Sequence, residues 1–414
     1  MAERLNILLL SRYFPPEIGT AANLFFEMAR GLVIRGHKVT VLTNFPWYNL
    51  DTVPEKYRWK FFMRENIEGV EVLRLKLPLP GTRNIKLAAG HLTVPITTFL
   101  SGLFVKKIDV MFLYSPPLFM GIAGWLLHLI KRKPIVFGVQ DLHPQCYIDQ
   151  GILKNKLAIK LLERLEKFCY DKAAAVTVHS DGNKSHIVDL KGIAAQKVRV
   201  IPNWIDTDEM KPLPRDNEFA QKHNLNGKFV VGYAGTLGMS QGLLSVIDAA
   251  RILRDRKDIE FFIVGDGIEK RTMIDRVKEY SLENVKFLEM QPKAVYPFVV
   301  ASCDVGLVTL NSKVKTPVVP SKILSLMAAA KPVLASMPLD GDAPKLIEEA
   351  GCGVCIPPES PELMAEKILY LAANPKQCEM FSRQGREYVV EEMSLKKAVS
   401  RLERLFEEVI DIKN

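Results

Sequence analysis

Three glycines, Gly235, Gly238 and Gly242, stand between an apolar run of β type, Val230-Val231-Gly232-Tyr233-Ala234, and a stretch whose apolar residues recur at helical spacing to about Arg254. Glycines between a strand and a helix let backbone N–H groups and the positive helix N-terminus approach an anion, and phosphate is the usual guest. The spacing is neither the dinucleotide-binding G-x-G-x-x-G nor a P-loop with its Lys-Ser/Thr ending, and the turn holds no Lys or Arg. Gly19 follows the first apolar run of the chain, and Gly265 and Gly267 follow the run Ile259 to Val264. No G-x-S-x-G elbow, H-E-x-x-H or kinase signature occurs, so hydrolase and metalloprotease chemistry lacks its usual supports. Cys352 and Cys355 form one C-x-x-C with no second pair, which reads as two small buried hydrophobes rather than a zinc site.

The elements that must hold these turns are legible as alternating strands and helices. Residues 5–10 are a continuous apolar run, as in a parallel strand buried on both faces. Leu24, Phe25, Met28 and Leu32 then recur at helical spacing, Gly36 ends the pattern, and the run from His37 to Thr43 is a second strand. The same order restarts at Phe229 and continues through strands at 304–310, 332–336 and 353–357. The prediction is α/β: two Rossmann-like halves with parallel sheets and helices on both faces, joined near 203–225. Ser360 is the expected N-cap of the helix that opens at Pro361. Asp206-Thr207-Asp208 sits in the connection and reads as hinge and cap, not as a metal-binding D-x-D. A glycine turn at the carboxyl end of the first strand of each half, both facing one cleft, suits a reaction of two substrates, one carrying a diphosphate.

The 414 residues carry a net charge of +9, all of it in residues 1–190, with 25 Lys+Arg against 16 Asp+Glu. The basic residues alternate with apolar ones at 103–107 and 126–133, a pattern that favours an anionic membrane surface over nucleic acid. No apolar run reaches the roughly 20 residues of a membrane span. Six cysteines without a spacing framework, and an amino terminus that does not read as a leader, point to the cytoplasm, at the inner face of the cell membrane.

Taken together, Pro15-Pro16-Glu17-x-Gly19, Gly36-His37-x-Val39, Gln140-Asp141-Leu142-His143-Pro144, Ile201-Pro202-Asn203, Gly232-Tyr233-Ala234-Gly235-x-Leu237-Gly238, Val264-Gly265-Asp266-Gly267, Pro320-Ser321-Lys322 and Lys331-Pro332-Val333 span nearly the whole chain. In this order they resemble the family 4 glycosyltransferases of the GT-B fold, and among them the fucosyl- and N-acetylfucosaminyl-transferase branch of surface polysaccharide and lipopolysaccharide synthesis. The resemblance implies an acceptor domain at 1–202, a nucleotide-sugar domain at 203–393, and a closing helix, about 394–414, packed back on the first. It implies retaining, metal-independent transfer of a hexosyl-type sugar from a UDP- or GDP-linked donor to a lipid-linked or glycan acceptor, with no cofactor. Many members place Arg and Lys where Thr236 and Gln241 stand here, and a pair of glutamates where Pro317 and Ser325 stand. The diphosphate would then fall to Lys322, beside Ser321 at the start of its helix. Gly19, Gly235, Thr236, Gly238, Gln241, Gly265, Gly267 and Gln291 are implied as donor-binding, and Asp141 and His143 as lying beside the reacting sugar. A nucleotide-sugar 2-epimerase of the same plan and a catalytically silent binding partner are the alternatives. The first needs converging carboxylates and histidines, and the second half has only His223.

Overall fold

The computed structural model describes residues 4–17, 19–46, 53–76, 83–149, 151–315 and 317–412, the helix Arg83–Leu103 as backbone only up to residue 92. Met1–Glu3, on which the leader reading partly rests, and Ile18 of the first proline motif lie outside the described residues. The chain forms two units: Met1–Asn203 with Leu395–Asn414, and Trp204–Ser394. The first holds 33 Lys+Arg against 20 Asp+Glu and the second 23 against 27, so the net charges are +13 and −4.

The first unit is an eight-stranded sheet of β1 (Asn6–Leu10), β2 (Lys38–Thr43), β3 (Phe62–Ile67), β4 (Val70–Leu75), β5 (Val110–Ser115), β6 (Ile135–Val139), β7 (Ala175–Val178) and β8 (Val198–Val200). Its order is β3-β4-β2-β1-β5-β6-β7-β8. All pairs are parallel except β3–β4, an antiparallel hairpin whose turn residues Glu68 and Gly69 both have positive φ, the geometry that matches strand twist. This hairpin departs from the all-parallel expectation. Its outer strand, Phe62-Met63-Arg64-Glu65-Asn66-Ile67, alternates exposed and half-buried residues because only one face is covered. The central strands β5 and β6 are buried at every residue.

The last helix, Leu395–Asp411, belongs to this first unit and packs on the helix Thr20–Ile34, where Gly31 leaves room for Val399. A buried latch fixes it. The Glu403 carboxylate accepts from His37 Nε2 at 2.9 Å and Arg35 Nε at 2.7 Å, while His37 Nδ1 accepts the Leu5 N–H at 3.2 Å. Residue His37 of the Gly-His turn thus serves the chain's own closure.

The second unit is a six-stranded, wholly parallel sheet of β9 (Phe229–Ala234), β10 (Ile259–Val264), β11 (Val285–Leu288), β12 (Val305–Thr309), β13 (Val333–Ser336) and β14 (Gly353–Ile356). The order β11-β10-β9-β12-β13-β14 reverses direction between β9 and β12. At such a reversal the loops leaving two adjacent strands diverge to opposite faces and leave a crevice at their carboxyl ends. Asp206 Oδ1 accepts from the N–H groups of Asp208 and Glu209, so it caps a turn. Ser360 stands before the helix Pro361–Ala373 without capping it. Its hydroxyl instead donates to the Pro358 carbonyl. Cys352 is fully buried and Cys355 half-buried in and beside β14, and no group of three or more metal-binding side chains occurs among the described residues.

Although burial pushes the Glu403 carboxyl up, hydrogen bonds from Arg35 and His37 outweigh it and hold it below the ordinary range. Glu403→Gln leaves two donors short of a charge, and about 3 kcal/mol of stability should be lost, the low end for a broken buried pair because Arg35 is half in solvent. A group with a depressed carboxyl stabilises above its unfolded value and stops doing so as pH falls through its folded value. Urea titrations of both proteins at pH 7 should therefore differ, with the gap closing below about pH 4; equal midpoints at pH 7 would refute the latch.

Candidate functional site

In the second unit the turn after β9 is laced to the turn after β10. Gly235 N–H donates to the Val264 carbonyl at 2.9 Å and Leu237 N–H to the Asp266 carbonyl at 2.9 Å. The approach is so close that a Cβ on Gly265 would run into the Gly235 carbonyl oxygen, and one on Gly267 into the Leu237 carbonyl. Both residues also have φ beyond +150°. Their glycines are therefore demanded by backbone packing. Gly238 differs: its φ is −106°, and a Cβ there would meet only the Thr236 methyl at 3.8 Å. Nothing in the chain itself requires a glycine at 238.

Lys322 is the second residue of the helix Ser321–Ala328, which follows β12 and so enters at the strand reversal. Pro320 stands at the N-cap and offers no side-chain bond, so the first N–H groups of this helix stay open. The lysine stem crosses Gly235, where a Cβ would strike its Cε. Its Nζ sits 5.1 Å from the centroid of the Tyr233 ring. Among the described residues the ammonium has no carboxylate and no hydrogen-bond partner, and burial brings its pKa down to about 8. A small cavity of about 20 Å³, walled by Ala234, Phe262, Tyr296, Cys303 and Leu326, lies along the lysine stem.

Tyr233, buried at the end of β9, does two things at once. Its ring faces the ammonium, and its one hydroxyl proton is shared between the Thr236 carbonyl at 2.8 Å and Gln241 Oε1 at 3.3 Å. The Thr236 side chain itself is exposed. Asn311, just beyond β12, fastens the far side of the turn through its N–H to the Ser240 carbonyl and its Nδ2 to the Met239 carbonyl. Glu269, two residues beyond Gly267, keeps a carboxylate oxygen buried without a hydrogen-bond partner among the described residues, and burial raises its pKa. Neither Tyr233 nor Glu269 was expected as a site residue. The available signals were a tyrosine at the strand end and a glutamate in the first turn after a glycine pair. Ser325, at the position where many family members carry a glutamate, bonds the Ser321 carbonyl and the Tyr296 phenol. Gln291 follows β11, two strands from β9, and its amide bonds the Glu289 carbonyl.

In the first unit the order reverses between β1 and β5, and the candidates stand at the carboxyl ends around that point. Gly19 has extended φ and nothing within 4 Å of a notional Cβ. Asp141, two residues past β6, is open to solvent on one side, yet the protein walling the rest raises its carboxyl above the ordinary range, with the charge of His179 acting against this. His143 is buried, its ring edge-on to Tyr147 at 4.7 Å and its Nδ1 3.5 Å from Cys146 Sγ. Desolvation lowers its pKa to about 4, so the imidazole is neutral near pH 7. Tyr114, at the end of β5, has a buried hydroxyl without a hydrogen-bond partner, and burial followed by the charge of Asp141 raises its pKa. The arrangement offers a carboxylate, a neutral imidazole and phenols, the means to hold a polyhydroxylated molecule by hydrogen bonds.

Two family models match the two halves in turn. Residues 19–204 match the glycosyl transferase 4-like domain, and residues 214–388 match the glycosyl transferases group 1. The chain is 32% identical over 275 residues to the probable glycosyltransferase WbjE of Pseudomonas aeruginosa, covering 64% of this chain and 66% of that protein. It is 26% identical over 381 residues to the putative colanic acid biosynthesis glycosyl transferase WcaI of Escherichia coli, 90% of this chain and 93% of the relative. The crystal structure of Anabaena HepE in complex with UDP shares the fold, with a TM-score of 0.74 and 19% identity over 98% of this chain and 100% of that one. Each unit thus corresponds to one of the two domain models, and the chain belongs to the GT-B glycosyltransferases built from a 4-like domain followed by a group 1 domain.

Proposed function

We propose that this protein is a retaining, metal-independent glycosyltransferase that moves a hexosyl-type sugar from a UDP- or GDP-linked donor to a lipid-linked or glycan acceptor during cell-surface glycan synthesis. The observation that carries the reading is the Lys322 ammonium, half-buried, without a counter-ion among the described residues, and held over the turn at the strand reversal. The second unit has a net charge of −4, so long-range attraction does not explain how it would bind an anionic donor. A local cation beside an open helix N-terminus does. The names of the relatives support the pathway class: WcaI is described for colanic acid biosynthesis, and HepE was crystallised with UDP. The fucosyl- or N-acetylfucosaminyl-transferase assignment rests on the motif resemblance alone.

In this mechanism the barrier is charge separation, since an oxocarbenium-like sugar forms while a diphosphate departs. Lys322, the first N–H groups of its helix and the backbone at Gly238 stabilise the leaving diphosphate, and fixed donors of this kind supply the largest catalytic contribution. Tyr233 holds the turn and the cation in register. The nucleoside lies along Gly265 and Gly267, with Gln291 toward the base. In the acceptor half, Gly19 gives close access to the backbone, Asp141 accepts from a sugar or acceptor hydroxyl, and neutral His143 donates or accepts a single hydrogen bond. The acceptor half carries the charge of +13 and is the half we assign to the inner face of the cell membrane.

The decisive experiment incubates the protein with a panel of nucleotide sugars and polyprenyl-diphosphate-linked acceptors: a glycosylated lipid supports the reading, an epimerised donor or no product refutes it. Lys322→Met keeps the shape of the side chain and should lower turnover about 100-fold or more while leaving the melting temperature within a few degrees. Because a pKa of about 8 is below the ordinary lysine value, the free site loses its charge as pH rises through 8. UDP or GDP affinity, read by calorimetry, should be flat below pH 7 and weaken above 8 in wild type only.

A glycine pair separates ligand demand from chain demand. Gly265→Ala forces the two turns apart and should cost both stability and nucleotide binding, whereas Gly238→Ala should melt like wild type and still bind UDP or GDP at least about tenfold more weakly, since about 1.4 kcal/mol is lost where a methyl meets a phosphate. Unchanged affinity in Gly238→Ala would remove Gly238 from the diphosphate site.

A further inference from the structure

The two basic-apolar segments singled out in the sequence lie away from the candidate acceptor residues. Lys131 Nζ bonds the carbonyls of Leu103 and Val105, which puts residues 103–107 and 129–133 side by side just before β5 and β6 begin. Gly19, Tyr114 and Asp141 stand where strands end. A different strip lies at that end.

Residues 56–64 read Lys-Tyr-Arg-Trp-Lys-Phe-Phe-Met-Arg. Tyr57 anchors them, buried between Phe45 and the Arg74 guanidinium. Around that anchor Trp59 is 95% exposed, Phe61 57% and Phe62 55%, interleaved with the exposed cations Lys56, Arg58, Lys60 and Arg64. Trp59 has φ +61°, a conformation bulky residues rarely adopt. Register fixes the level of the strip. Phe62 faces Leu75, Arg74 is level with Thr43, and Leu42 with Leu10, so the strip stands at the carboxyl ends of β4, β2 and β1. Arg74 makes the connection physical: fully buried, it bonds Glu65 Oε1 at 2.6 Å, the Asn44 carbonyl at 2.9 Å and the Pro15 carbonyl, at the head of the loop that leads to Gly19.

We propose that residues 56–64 are the surface by which this protein docks on an anionic lipid bilayer, presenting the Gly19–Asp141 end of the first unit to an acceptor embedded there. Tryptophan and phenylalanine side chains interleaved with lysine and arginine are the chemistry of a membrane interface: rings settle at the headgroup level and cations meet anionic lipid. A protein partner would need a matching acidic apolar face. The +13 charge of this unit favours a lipid surface.

The proposal rests on the lipid-linked acceptor reading, but its test needs neither donor nor acceptor. Sedimentation with sucrose-loaded phosphatidylglycerol–phosphatidylethanolamine vesicles at low salt should pellet the wild-type protein, and phosphatidylcholine vesicles should not. The combined Trp59→Ala, Phe61→Ala and Phe62→Ala variant removes only exposed rings, so its melting temperature should hold while its partition onto the anionic vesicles falls at least about tenfold. Phe104→Ser with Ile130→Ser, at the other end of the sheet, should bind like wild type. Equal binding by wild type and the triple variant, loss confined to the Phe104 pair, or no vesicle binding by wild type would each overturn the proposal. A vesicle-free dimer that the triple variant abolishes would overturn it too, by assigning the strip to a second copy of the chain. If vesicle binding behaves as expected while Lys322→Met leaves nucleotide affinity unchanged, the donor reading fails and the docking surface stands.

Discussion

A half-buried ammonium group over an aromatic ring, with no carboxylate among the described residues to neutralise it, is costly, and the second unit is arranged around keeping it there. Desolvation disfavours the charged form, which is why the pKa of Lys322 lies near 8. The face of Tyr233 at 5.1 Å opposes that penalty, whereas the start of a helix, to which a cation is electrostatically unwelcome, adds to it. On balance the position is destabilising in the free protein. Below pH 8 the folded state must carry the charge, and stability rises as pH climbs from about 8 toward the ordinary lysine value, where the unfolded chain still holds the proton. Under the proposed donor reading, the arrival of an anion compensates that cost.

The surrounding residues fit that constraint one by one. Gly235 has no side chain because the lysine stem occupies the space. Gly265 and Gly267 have none because the turn beneath presses against the carbonyls of 235 and 237. Tyr233 reaches past the lysine to fasten the same turn, and Asn311 closes its other side. At the far end of the lysine helix, Arg386 donates to the Ala328 carbonyl and to those of Thr207 and Met210, so the helix is gripped at its C-terminus while its N-terminus stays open. Where the family's commoner pattern places arginine and lysine in the turn itself, this chain has Thr236 and Gln241. Gln241 accepts from Tyr233, leaving its amide nitrogen toward Ser240, so it adds a dipole and no charge.

What the sequence discloses divides along a physical line. Continuous apolar runs, glycine turns and helical periodicity are local, and they read out the two α/β halves and the turn after β9. Contacts between distant residues leave no local trace. His37 and Glu403 are 366 positions apart, and nothing near either announces the other. The β3–β4 hairpin is short, carries Phe62, Arg64 and Asn66 on its exposed face and is closed by Glu68-Gly69 rather than Asn-Gly, so its signal is weak. Lys322 was legible only through resemblance, because a lysine in a first helical turn is ordinary until the space over Gly235 is known. Gln291 spends one amide N–H on the Glu289 carbonyl, a bond to a residue two positions away that the letter alone does not announce.

Charge separates the two units more sharply than the halves of the sequence do, because the closing helix returns to the first unit and the acidic residues between 204 and 394 stay with the second. The result is +13 against −4. A basic unit with exposed aromatics gains affinity for an anionic surface over a distance of about a Debye length, ~8 Å at physiological salt, and that attraction is indifferent to detail. An acidic unit gains nothing for an anionic ligand at that range. In the proposed donor site, recognition would be made at contact, by one ammonium, open N–H groups and backbone brought close by glycine, and would be correspondingly sensitive to a single methyl group. Under the proposed function the division of charge thus gives the two units different modes of binding: long-range and tolerant in the first, short-range and exact in geometry in the second.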